Sequence, residues 1–178
     1  MTTAASMHAS PDAGLDQPFA MLSACHERLY RMLQLLERLA AHLPDNGCDP
    51  HAVGAARDLT RYFDVAAPAH HEDEERHVLP ALRAAGDDAF AAQLEQEHHE
   101  MRRRWAELRA NLALVIDRSW CDAAVGAGFD HWRQFATLYR AHTASEEEHA
   151  FPGVRAALDA DAQRAMGREM AARRGLSI

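Results

Sequence analysis

An internal repeat, offset by 72 residues and free of gaps, limits what this 178-residue chain can fold into. His26 maps to His98, and His70 to His142. The segment from Arg61 to Ala85 aligns with that from Arg133 to Ala157 at 11 identities in 25 positions. These include Phe63/Phe135, His70/His142, Glu74/Glu146, Glu75/Glu147, His77/His149 and Pro80/Pro152. Apolar residues at +3, +7 and +10 from each leading histidine also recur, Leu29, Leu33 and Leu36 against Met101, Trp105 and Leu108. Such a chain reads as two similar hairpins facing each other about a pseudo-two-fold axis.

The hairpins are helical, because apolar residues recur at three- and four-residue steps in four long segments and nothing alternates with the period of a strand. The expected fold class is all-α, an up-down-up-down four-helix bundle with a short C-terminal helix. Helix one should run from Pro18 to about His42 and stop before Pro44. Helix two opens with Asp49 as N-cap and Pro50 at its first position, kinks at Pro68, and ends near Leu79 and Pro80, before Gly86. Helix three follows Asp87 and Asp88 and reaches about Ile116. Helix four starts after Ser119 as its cap and reaches about Ala150, before Pro152. A fifth, from about Asp161 to Arg174, ends at Gly175 with basic residues in its last turn. Residues 1–15 are expected to form a disordered tail, 16–157 the bundle, and 158–178 a helix packed on it.

Helix rise places the histidines at a common height. His26 stands about 17 residues before the first turn and His70 about 20 after it, so both lie roughly 25–30 Å from that end. His98 and His142 repeat the same spacing. Glu74 and Glu146 each follow a histidine by four residues, one turn on along the same face. Four imidazoles and two carboxylates are thus expected to converge, a costly burial unless a cation compensates it. Imidazole and carboxylate without thiolate suit iron or manganese, and also zinc. Two carboxylates among four histidines favour two ions bridged by the glutamates, each taking two imidazoles and leaving a position for O2, NO or peroxide. The expected metal ligands are His26, His70, Glu74, His98, His142 and Glu146.

Composition narrows the alternatives. The net charge of −8 is spread along the chain with no Lys/Arg block, which excludes a nucleic-acid surface. Residues 1–15 lack the basic start and apolar stretch of a signal peptide, and no membrane segment is expected, so the reading is a cytoplasmic protein. Cys25, Cys48 and Cys121 form no Cys-x-x-Cys pair, which argues against a thiolate site.

Of the chain's twelve histidines, eight lie outside the expected ligand set: among them His71 and His99 are expected at the surface, His131 in the core and His42 near a helix C-terminus. His8 lies in the tail. His77 and His149 stand seven residues beyond ligand histidines, either beside the metals or packed near the bundle end. Glu75 and Glu147 are rotated about 100° from the ligand face and read as rim groups or as partners just outside the ligands, with Glu147 in place of Glu146 as the alternative. Glu74-x-x-His77 and Glu146-x-x-His149 also fit the motif of a ferritin-like di-iron oxidase or peroxidase, but the repeat offers no further Glu from the other two helices.

The pattern Cys25-His26, His70-x-x-x-Glu74-Glu75 with Pro80, Glu97-His98, and His142-x-x-x-Glu146-Glu147 with Pro152 resembles the hemerythrin-like cation-binding (HHE) family over about residues 18–157. The resemblance implies a four-helix bundle with a carboxylate-bridged non-haem di-iron centre on the six residues above. His98 is flanked four residues away by Leu94 and Arg102, where oxygen-carrying hemerythrins have a fifth histidine. The spacing is closer to bacterial di-iron proteins of the iron-centre repair type. Binding or sensing of O2 or NO, iron homeostasis and oxidative or nitrosative stress are the roles implied, with a separate protein partner needed for a sensor.

Overall fold

The computed structural model describes residues 17–120 and 125–175. Among them every regular element is helical: α1 (Pro18–Asn46), α2 (Pro50–Arg61), α3 (Ala67–Asp73), α4 (Leu79–Ala84), α5 (Asp88–Ile116), α6 (Val125–Ser145), α7 (Phe151–Ala157) and α8 (Ala160–Arg173). The wider π-turns Tyr62–Ala66, Glu74–Val78 and Glu146–Ala150 join α2 to α3, α3 to α4, and α6 to α7 without a break. The described chain therefore makes four long helical runs and one shorter helix. The all-α class is as expected. None of the described helices is long and apolar enough to cross a membrane.

Where the helices end differs from the expectation. The second run continues through Pro80 to Ala84, and the fourth through Pro152 to Ala157. Each π-turn ends two residues before a proline, at Pro68, Pro80 and Pro152. A proline offers no N–H to the carbonyl four residues back, and its ring crowds that carbonyl. A turn widened to i→i+5 relieves the crowding while keeping a bond, from Ala67 N–H to Tyr62 O, Leu79 N–H to Glu74 O, and Phe151 N–H to Glu146 O. Pro44 also lies inside α1, where the helix is about to end and little hydrogen bonding remains to lose. Gly47, at φ +60°, then closes α1 with a 2.9 Å bond from its N–H to Leu43 O.

The caps follow the residues. Asp49 accepts from Ala52 N–H at 2.8 Å with Pro50 behind it, as expected, and Asp159 caps α8 by accepting from Ala162 N–H at 2.8 Å. Ser119 caps nothing described: its own N–H bonds back to Leu114 O at the end of α5. Residues 121–124, with Cys121, and the expected tail, with His8, lie outside the described residues.

The described residues divide into two compact units. One, from 29–67 and 96–142, has a core of Leu29, Leu33, Leu36, Leu39 and Leu43 with Leu59, Phe63, Met101, Leu108, Leu112, Phe135 and Tyr139. The steps of three and four along α1 are those of one helix face. The other, from 17–28, 68–95 and 143–175, packs Phe19, Leu22, Leu79, Leu82, Leu94, Phe151 and Val154 with Met166 and Met170 of α8.

In this second unit α8 is also held by charge. Asp73, fully buried at the end of α3, accepts from both Arg173 and Arg174. Removing one member of a buried ion pair leaves the others uncompensated. Asp73→Ala should cost about 3–5 kcal/mol in denaturant unfolding and raise hydrogen exchange in α8 first. An effect below about 1 kcal/mol would show that the two arginines simply turn to solvent.

Candidate metal centre

Four ligand-type side chains meet within one unit: His26 from α1, His70 from α3, and Glu74 and Glu146, each the first residue of a π-turn. One ligand atom of each lies within 4.8 Å of all the others. All are buried, at 2% exposure for His26, 5% for His70 and 0% for both glutamates, so the charge is removed from water.

The distances suit a shared cation. His70 Nε2 stands 3.0 Å from Glu74 Oε1, and His26 Nε2 stands 3.3 Å from Glu146 Oε2 and 3.7 Å from Glu74 Oε1. Yet neither Nε2 makes a hydrogen bond of proper geometry. Two donors about 2.1 Å from one ion at right angles are about 3 Å apart, so the spacing is that of neighbouring ligands. The buried imidazoles and carboxylates thus fit a hard or borderline metal such as iron, manganese or zinc.

Without an ion the imidazoles answer the carboxylates with protons. Burial by itself lowers the His26 pKa, but the neighbouring carboxylates of Glu146, Glu147 and Glu74 outweigh it and push it up to about 12. Burial opposes ionisation of His70 too, and the neighbouring Glu74 charge, with Cys25, pushes it up to about 10.

The ring of His26 is fixed on its far side. Its Nδ1–H donates to Glu147 at 2.8 Å, Glu147 also accepts from Ser23 Oγ at 3.1 Å, and the Phe151 ring stacks on the imidazole at 5.3 Å and 14°. Glu147 in turn lines a cavity of about 440 Å³ with Phe19, Ser23, Phe151 and Arg155. Burial would raise the Cys25 thiol, but its interaction with the His70 imidazole leaves it below its usual pKa.

The other unit holds the remaining two expected ligands. His98 and His142, both buried, face each other with Nε2 atoms 3.1 Å apart and ring centroids 4.8 Å apart. His142 Nδ1–H donates to Glu97 at 2.7 Å.

Glu147 takes one of its two expected places, as a partner just outside the expected ligands, whereas Glu97 was not singled out from sequence as a partner of a histidine in that set. The available signals were the doubled Glu after each His-x-x-x and the Glu directly before His98. His71 is a correction: it is buried at 3% exposure, beside the His70 ring, whereas His99 is exposed as expected. His77 stands 3.3 Å from Glu169 of α8, and His149 is exposed beside Phe90. Neither belongs to the four-residue cluster. His131 is half-buried rather than in the core and contacts the Arg104 carbonyl. His42 meets Asp49 at 3.1 Å.

Residues 17–154 match the hemerythrin HHE cation binding domain. The chain belongs to the hemerythrin HHE family. This hemerythrin-like chain is also 30% identical over 162 residues to an uncharacterized protein of Haemophilus influenzae, across 89% of this chain and 91% of that one. The family binds metal cations, in keeping with the buried His and Glu groups.

Outer hydrogen bonds orient metal-ligating imidazoles, and losing one typically lowers metal affinity about 10–100-fold. His26→Ala and Glu74→Gln should therefore sharply reduce bound metal, and Glu147→Gln should weaken its retention about 10–100-fold at unchanged stoichiometry. His99→Ala should do neither. Metal analysis after gel filtration and chelator competition measures both, and equal behaviour of His26→Ala and His99→Ala would overturn the cluster as a metal site.

Proposed function

We propose that this hemerythrin-like chain holds two non-haem iron ions, with His26 and His70 serving one, His98 and His142 the other, and Glu74 and Glu146 both, and that the pair binds a small diatomic ligand, O2 or NO. The observation that carries this reading is the buried cluster of His26, His70, Glu74 and Glu146. The repeat extends it, since His142 lies one turn before Glu146 as His70 lies one turn before Glu74. The mutual approach of His98 and His142 supports a second imidazole pair.

Bound iron would supply one-electron chemistry and a coordination position for a gas. The chain supplies the rest. Its imidazoles and carboxylates are donors that iron accepts, and zinc or manganese would be accepted on the same grounds. Burial keeps bulk water from the ligands, and Glu147 holds the Nδ1 proton of His26 so that Nε2 faces the cluster. The cavity beside Glu147 offers a small molecule a path to within one hydrogen bond of His26.

A ferritin-like oxidase or peroxidase is less well supported. That chemistry would enlist His77 and His149, and these contact Glu169 and Phe90 instead.

Protein purified in air should carry about two irons per chain with near-ultraviolet absorption that shifts on anaerobic exposure to NO. His142→Ala should leave no more than about one. A single zinc insensitive to NO, or turnover of hydrogen peroxide without any NO response, would overturn the reading.

A further inference from the structure

The two hairpins are alike in their ligands and differ one step outward. At the offset of 72 residues, Cys25 occupies the place of Glu97. Glu97 lies behind His142 and accepts its Nδ1–H at 2.7 Å. In the other hairpin Cys25 stands at the place of Glu97, and His70 Nδ1, in a side chain more than nine-tenths buried and the repeat mate of His142, makes no hydrogen bond of proper geometry. One imidazole is therefore backed by a carboxylate, and its counterpart has a cysteine at the position of that carboxylate and no hydrogen bond at Nδ1.

The chemical difference is large. A carboxylate accepting the Nδ1–H draws the proton away from the ring, raises electron density at Nε2, and fixes the ring's rotation. A thiol accepts weakly and fixes little.

We propose that Cys25 makes the two metal positions inequivalent, so that the ion on His26 and His70 is held more loosely and leaves first. Cys25 is a positioning residue here, acting through His70 and not as a ligand. This inference rests on the two-metal reading above, and the same experiment separates the two.

The test loads the full chain with Co²⁺ or Zn²⁺ and follows release to an excess of chelator. Wild type should release two ions in two phases whose rates differ by about 10-fold or more. Cys25→Glu, which restores the carboxylate, should slow the fast phase about 10-fold and bring the phases together. Glu97→Cys, at a partly exposed position, should speed the slow phase by a similar factor and keeps the test decisive if Cys25→Glu does not fold. Two bound ions released in one phase, or two phases that Glu97→Cys leaves unchanged in protein with native circular dichroism, would overturn the inference while leaving the two-metal reading standing. No more than one ion per chain would overturn both.

Discussion

Two carboxylates buried to zero exposure, Glu74 and Glu146, set the terms for everything around them. Removing an ionised carboxylate from water costs several kcal/mol even after relaxation, and the cost is met only by opposite charge placed with good geometry. His26 and His70 stand where that charge is needed, beside the two carboxylates in a group that could hold a metal ion. A second demand follows from the first. The backbone near such groups must not compete for their hydrogen bonds, and a helix satisfies its own peptide groups along its length. An all-helical scaffold with ligands projecting from helix sides meets both conditions.

The prolines refine that scaffold. Pro80 and Pro152 each follow a π-turn whose first residue, six positions upstream, is Glu74 or Glu146. A π-turn takes up one extra residue, so side chains beyond it are rotated by about a helical step from where a regular 3.6 count puts them. His70 and Glu74 lie before the distortion takes effect and keep their one-turn relation. His77 and His149 lie beyond it and point to Glu169 and Phe90. The Glu-x-x-His spacing is thus present in the sequence, while His77 and His149 stand outside the buried His and Glu groups.

This also marks how far the sequence could be read. Helical class, the Asp49 cap, the apolar face of α1 and the pairing of ligand types with a metal follow from periodicity and the repeat, because these depend on local spacing. Helix ends at Pro44, Pro80 and Pro152 were not legible, since the usual rule treats proline as a stop and no local signal tells a stop from a widened turn. The burial of His71 escaped because it depends on what packs over α3. That includes α8, whose Arg173 and Arg174 lie about 100 residues away from Asp73 in sequence, a separation at which pattern carries no information.

The divergence between the repeats includes residues one contact out from the buried His and Glu side chains, and this gives the two sides different surroundings. Ser23, which donates to Glu147, has Glu95 as its repeat mate, and Glu95 instead pairs with Arg83 at 2.8 Å. Arg155, the mate of Arg83, lies over the Phe19 ring and lines the cavity beside Glu147. Replacing a carboxylate by a hydroxyl at position 23 leaves that arginine without the partner its mate has, and the space beside Glu147 stays open to a small molecule. On the proposed two-metal reading the six inner residues need near-identical geometry in both halves to hold like ions, while the outer residues carry no such constraint, so access and ligand strength would differ between halves without disturbing Glu74 and Glu146.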